Sequence, residues 1–272
     1  GIVFCGSGTE SDNLALKGFF QQKSRRGQRL IISPLEHAAV NETCDWLSRN
    51  NLAEIAVVEI DPGTGRVRLD HLENLLTPQT GMVSIQHVNS ETGLIQDLAA
   101  ISRTVKRISP ETIIHSDGVQ AFSRIPVNLG SLGIDLYSIS AHKFHGVKGA
   151  GALVLNRKLP LEPVIHGGGQ EWGLRSGTEN VAAIAAMGLA AEKSVAEMAE
   201  NRRKLSRFRT DFKAFLKEQI PECRFWESED MVPHIISLSI PQLPGEVLRN
   251  HLAEREICVS TGSASTASSK KL

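Results

Sequence analysis

Short apolar runs alternate with apolar residues at helical spacing along the first two thirds of the chain. Val3-Phe4 reads as a strand, and a helix follows from about Thr9 with Leu14, Leu16, Phe19 and Phe20 as its apolar positions. A strand is predicted over residues 30–33, then a helix with Val40, Cys44 and Leu47 on one face. Residues 53–60 form the next strand, closed by the turn signal Asp61-Pro62-Gly63-Thr64-Gly65. A helix over 69–76, a strand over 82–88, a helix over 98–108 and strands over 112–115, 134–139 and 149–154 complete the series. Such alternation predicts an α/β domain with a mostly parallel sheet and crossover helices.

From Asn180 the texture changes. A helical pattern, broken once, runs to about Gln219, and its second half places Leu205, Phe208, Phe212 and Phe215 on one stripe. The alanine-rich part over 181–191 reads as a core helix. A short strand near Phe225, a strand over 235–240 and a helix over 246–255 follow. The expected division is a large α/β domain over 1–195 and part of a smaller α+β domain over 196–272.

Charge changes this picture only by exclusion. Lysine plus arginine and aspartate plus glutamate number 30 each, so the chain has no basic bias toward nucleic acid. No apolar run has the length of a membrane span. Cys5, Cys44, Cys223 and Cys258 form no CxxC pair and no zinc pattern, so no metal is expected and a reduced, cytoplasmic setting is. The chain opens on Gly1-Ile2-Val3-Phe4 and stops at Lys270-Lys271-Leu272, which leads us to expect a longer protein.

The polar clusters fall at predicted strand ends, where open α/β sheets collect ligands. They are Gly6-Ser7-Gly8-Thr9-Glu10-Ser11, Glu36-His37, Asn89-Ser90-Glu91, Asp117 with Gln120, and Ser140 with His142 and Lys143. Lys143 follows an apolar strand among small residues, where an amine can form a Schiff base with a carbonyl cofactor. Asp117 can pair with a pyridinium nitrogen, or serve as a helix cap or salt-bridge partner. His37 can stack on a ring or carry a proton, or be structural. Gly6-Ser7-Gly8-Thr9 suits a phosphate at a helix start, or is a glycine turn capped by Thr9 or Ser11. Arg175-Ser176-Gly177-Thr178 offers an anion cluster, or a helix start capped by Ser176 or Thr178. His142 and His145 resemble a metal pair, but no third ligand stands near them.

Together these blocks make the chain resemble the NifS/IscS-type cysteine desulfurases of the class V aminotransferase group. The resemblance runs from Phe4 to about Ser268 through Thr9-Glu10-Ser11-Asp12-Asn13-Leu14, Glu36-His37, His87-Val88-Asn89, His115-Ser116-Asp117 with Gln120, and Ser140-Ala141-His142-Lys143. It continues through His166-Gly167-Gly168-Gly169-Gln170-Glu171, Arg175-Ser176-Gly177-Thr178 and Val259-Ser260-Thr261-Gly262-Ser263-Ala264. It implies a fold-type I pyridoxal phosphate (PLP) enzyme with a seven-stranded-type sheet, working as a homodimer on L-cysteine. Lys143 would hold the cofactor covalently, Asp117 pair with the ring nitrogen, Gln120 bond the ring hydroxyl and His37 stack over the ring. Gly8, Thr9, Ser140 and His142 would bind the phosphate, with Thr178 reaching across from the partner subunit. A sulfur-acceptor protein, for iron–sulfur cluster assembly or tRNA thiolation, would be the further partner.

The sequence departs from this family at three places. Ser265 stands where the family's sulfur-accepting loop has its cysteine, and a serine hydroxyl cannot carry a persulfide. Cys258, seven positions earlier on an apparent strand, is expected to be a core residue rather than a replacement. Ser90 stands where the family has an asparagine near the cofactor and the substrate carboxylate. The family's opening segment and its later carboxylate-gripping arginine have no counterpart. Ordinary desulfuration is one expectation; selenocysteine lyase, cysteine sulfinate desulfinase or C–S lyase chemistry is another; an impaired scaffold in sulfur transfer is a third.

Overall fold

The computed structural model describes residues 1–22, 27–156 and 158–261. Its framework is a seven-stranded sheet in the order β1-β7-β6-β5-β4-β2-β3. The strands are β1 (Ile2–Cys5), β2 (Arg29–Ile32), β3 (Glu54–Val57), β4 (Thr80–Ser84), β5 (Ile113–Asp117), β6 (Leu136–Ser140) and β7 (Gly151–Leu155). β2 to β6 pair in parallel, while β7 runs antiparallel to both β6 and β1. β1 therefore points the same way as β6, and six strands bring their carboxyl ends to one edge.

Helices cover both faces. α1 (Gly8–Phe20) and α2 (Ala38–Arg49) bury Leu14, Leu16, Phe20, Val40, Cys44 and Leu47 against Leu30, Met82, Ile113, Leu136 and Leu153. α3 (Leu69–Leu75), α4 (Leu98–Ile108) and the single turn α5 (Leu129–Leu132) lie on the opposite face, around Ile31, Val83, Ile114 and Tyr137. The strands carry apolar side chains toward both layers, as a sheet buried on both sides requires. After β7 come α6 (Val181–Ala196), α7 (Met198–Gln219), β8 (Arg224–Phe225), β9 (Leu238–Ser239) and α8 (Gly245–Ala253). Residues 230–232 return to the large sheet's side, where Ile95 N–H donates to the Asp230 carbonyl and Val232 N–H to that of Gly93. Among the described residues no helix is long and apolar enough to cross a membrane.

Several expected elements differ in extent or setting. The strand predicted over 82–88 ends at Ser84, because Gln86 N–H bonds the Glu36 carboxyl at 2.9 Å instead of a β2 carbonyl. The strand over 235–240 shrinks to Leu238–Ser239; β8 offers only two residues to pair with, and Arg209 takes the Ile235 carbonyl. α6 is not a core helix: it buries Ala183, Met187 and Ser194, while Val181 and Leu189 are 71% and 55% exposed. Only one of its sides is packed. The aromatic stripe of α7 is likewise uncovered, with Phe208 67% exposed. Cys258 is exposed and lies in no strand, beside the equally exposed Ile257 and Val259, so it is not a core residue.

Candidate active site

Chain direction alone brings the polar clusters to one place. β1, β2, β4, β5 and β6 all end there. Between β1 and α1, Ser7 caps the helix: its Oγ accepts Glu10 N–H at 3.1 Å and its carbonyl accepts Ser11 N–H at 3.1 Å. The cap is therefore Ser7, not Thr9 or Ser11. Among the described residues the Gly8 and Thr9 N–H groups keep no protein partner, so the helix start offers donors and a positive dipole end to an anion. Gly8 is dictated by space. A Cβ there would lie 2.6 Å from Val119 Cγ2 and 3.3 Å from Ser140 Cβ, which presses the helix start against the ends of β5 and β6.

Asp117 ends β5, almost fully buried, and its Oδ1 accepts Val119 N–H at 2.8 Å. Burial raises the pKa of this acid; the Val119 hydrogen bond and the neighbouring His37 and Lys143 pull it back down. These three side chains thus meet electrostatically around one point. His37 caps α2, with Nδ1 accepting Ala39 N–H at 3.1 Å, so the neutral ring carries its proton on Nε2. Lys143 sits in the 3-10 turn Ala141–Phe144 that follows β6. Arg124 donates to the Lys143 carbonyl at 2.8 Å and Ser194 to that of Phe144 at 2.9 Å, which fixes the turn's backbone from two sides. Ser140 Oγ lies 3.0 Å from His142 Nδ1. The His142 pKa is lowered by partial burial and by the charges of Lys143 and Lys148.

The remaining predicted residues are placed less centrally. Gln120 is half-buried three positions after Asp117, and Ser90 is half-buried beyond β4. Thr178 is exposed; it lines a cavity of about 200 Å³ with Cys5, Gly6, Gly149 and Arg175, without Asp117 or Lys143. The helix after it is capped by Asn180, whose Oδ1 accepts Ala183 N–H at 3.2 Å, and not by Ser176 or Thr178. Ser265 lies outside the described residues.

The full chain, residues 1–272, matches the family model aminotransferase class-V. The chain belongs to the aminotransferase class-V family. It is 39% identical over 269 residues to cysteine desulfurase IscS of Dictyoglomus turgidum, covering 98% of this chain and 67% of that protein. With the IscS of Histophilus somni the covered share of the relative is 65%, so the chain spans about two thirds of the length of these curated relatives. A solved NifS-like protein superimposes with a TM-score of 0.91 at 38% identity, over 96% of this chain and 70% of the other. A structure of SspA in complex with cysteine gives 0.80 at 29% identity, over 98% and 74%.

Class V aminotransferases and cysteine desulfurases depend on pyridoxal phosphate. The residues present fit that group. An amine, a buried acid and an imidazole meet around Asp117, and unpartnered N–H groups at the start of α1 stand close to Ser140.

Several residues beside this constellation received no individual role from the sequence, although Glu36 stands in one of the polar clusters and Asp12, His87 and His115 in the family blocks. Asp12, Glu36, His87, His115 and Tyr137 are all buried. His87 Nδ1 lies 2.8 Å from the Tyr137 hydroxyl, and burial lowers the His87 pKa to about 4. The period-2 relation of His115 to Asp117, and the place of Asp12 on the face of α1 shared with Ala15, Leu16 and Phe19, were the available signals.

Proposed function

We propose that the chain provides the cofactor-binding part of a pyridoxal phosphate-dependent cysteine desulfurase, which takes sulfur from L-cysteine and leaves L-alanine. The meeting of Lys143, Asp117 and His37 carries this reading. Its likeness to IscS proteins, and to an SspA solved with cysteine, supports the substrate class. When bound, pyridoxal phosphate supplies an electron sink for charge developing on the amino acid.

The protein's residues then divide the remaining work. The Lys143 amine would carry the cofactor covalently and, as a free amine, would be placed to move a proton. Asp117, as a buried anion, would keep a proton on the ring nitrogen. Gln120 would bond the ring hydroxyl. His37 stacks with Nδ1 tied to Ala39 N–H, leaving Nε2 for proton exchange. Gly8, Thr9, Ser140 and His142 hold the phosphate, and Ser90 borders the substrate carboxylate. We assign residues 1–195 to the large domain and 196–272 to part of a smaller one. The uncovered apolar side of α6, next to the exposed Thr178, is assigned to a second copy of the chain, so that Thr178 completes the partner's phosphate site.

Ser265 in the sulfur-accepting position separates two chemistries. A persulfide route needs a thiol there, whereas substrates with better leaving groups need it less. Borohydride reduction of the cofactor-loaded protein, followed by peptide mass spectrometry, is expected to place the pyridoxyl group on Lys143, and Lys143→Ala to abolish it. Modification elsewhere rejects the assignment. Ser265→Cys is expected to raise sulfide release from cysteine at least tenfold. Turnover of selenocysteine or cysteine sulfinate by the unaltered protein, with no gain from the thiol, would favour the second chemistry.

A further inference from the structure

A buried polar row separates the candidate site from the apolar core on the α1 side of the sheet. Along β4, β5 and β6 the side chains on that face run Met82–Ser84, Ile113–His115–Asp117 and Leu136–Ser138–Ser140. His115 lies between two hydroxyls, with Nδ1 2.8 Å from Ser84 Oγ and Nε2 3.1 Å from Ser138 Oγ. Ser11 of α1 joins from above, its Oγ 2.8 Å from Ser138 Oγ and 3.0 Å from the Ala152 carbonyl oxygen.

Two further carboxyl groups enter this row. Asp12 is 1% exposed, and its Oδ1 has no hydrogen-bond partner among the described residues. His115 Nε2 is 3.6 Å from that oxygen, too far for a hydrogen bond. Glu36 is 6% exposed; Oε1 receives Gln86 N–H at 2.9 Å, while Oε2 has no partner. A buried carboxylate with a bare oxygen carries a large desolvation cost that a proton removes.

The charged and titratable neighbours make the three acids unequal. Asp12 faces Asp117, Glu36 and the imidazole of His115, which burial keeps neutral by lowering its pKa to about 3. Glu36 faces Asp117 and the Cys44 thiol. Asp117 faces Asp12, Glu36 and the Tyr137 hydroxyl, but also His37 and Lys143, which favour its ionised form. Burial and mutual repulsion raise the pKa of Asp12 and Glu36 well above the ordinary carboxyl range.

We propose that Asp12 and Glu36 are held as neutral carboxylic acids, so that Asp117 bears the single negative charge of this buried group, with the His115 row as a positioning layer beneath it. An anion at either neighbouring acid would drive a proton onto Asp117 and weaken its grip on a ring nitrogen. That consequence rests on the functional reading above; the protonation of the two acids does not.

Infrared difference spectra near neutral pH test this, recorded with pyridoxal phosphate bound and after its removal. Asp12→Asn and Glu36→Gln are each expected to delete one protonated-carboxyl band in both states, and Asp117→Asn to delete a carboxylate band in the loaded state. Loss of a carboxylate band in Asp12→Asn or Glu36→Gln overturns the proposal. Should a variant fail to fold, carboxyl-13C titration of the unaltered protein decides. Two side-chain carboxyls that stay protonated at neutral pH support it, and none overturns it. A protein that binds no pyridoxal phosphate yet shows both acid bands contradicts the functional reading alone.

Discussion

An imidazole buried without its charge ties the stability of this protein to pH. His87 and His115 have ordinary values of 6.5 lowered by burial to about 4 and about 3. Both are neutral in the folded and unfolded chain above pH 6.5, where their contribution is fully present. As pH falls from there through the folded values, the unfolded chain binds protons that the folded chain refuses. Stability then drops by about 1.4 kcal/mol per pH unit for each histidine. Asp12 and Glu36 act with the opposite sign: their raised values make their contribution whole below the ordinary carboxyl range and lost as pH rises through the folded values. His87→Asn keeps a polar atom toward the Tyr137 hydroxyl and removes one titrating ring. Urea unfolding between pH 6.5 and about 4 is expected to show a limb flatter by about 1.4 kcal/mol per pH unit than that of the unaltered protein. An unchanged slope would mean that His87 is not buried in its neutral form.

At the scale of elements, periodicity showed the sheet and its helices because burial on both faces leaves continuous apolar strands. The helix expected over 98–108 is α4 itself, and Val40, Cys44 and Leu47 are the buried face of α2. Strand ends were less legible, because side chains replace backbone partners there, as the Glu36 carboxyl does at Gln86. Gly118 shows what local pattern cannot reveal. Nothing in Asp117-Gly118-Val119 demands glycine, yet a Cβ would lie 2.0 Å from Tyr137 Cζ. The tyrosine hydroxyl in turn meets His87. Gly118→Ala must therefore displace the Tyr137 ring, break that hydrogen bond and move the turn holding Asp117. Overpacking of this kind costs about 1–3 kcal/mol. Chemical denaturation is expected to show that loss, together with weaker pyridoxal phosphate binding. Unchanged stability would show that the ring has room to shift.

For the whole molecule, the gathering of the polar clusters at one sheet edge was legible in the order of strands and helices, whereas a surface that needs something else to cover it was not. Composition marked α6 as a core helix, since alanine, valine, isoleucine and leucine dominate it. Its packed side meets the Lys143 turn, and its other side presents Val181, Ala182, Ala185, Gly188 and Leu189 to solvent. A helix apolar on all sides is ordinarily buried on all sides, and its small residues let another backbone approach closely. A second copy seated there, as proposed, would bring the adjoining Thr178 to the neighbour's phosphate site. Val181→Asp and Leu189→Asp place charges on exposed positions, so the isolated fold tolerates them, whereas an apolar interface does not. Sedimentation equilibrium is expected to give twice the chain mass for the unaltered protein and the single-chain mass for the double variant. Pyridoxal phosphate affinity should fall at least tenfold in the same variant, and Thr178→Ala should lower it without changing the mass. A double variant that remains a dimer puts the interface elsewhere, and one that is monomeric with unchanged affinity removes Thr178 from the phosphate site.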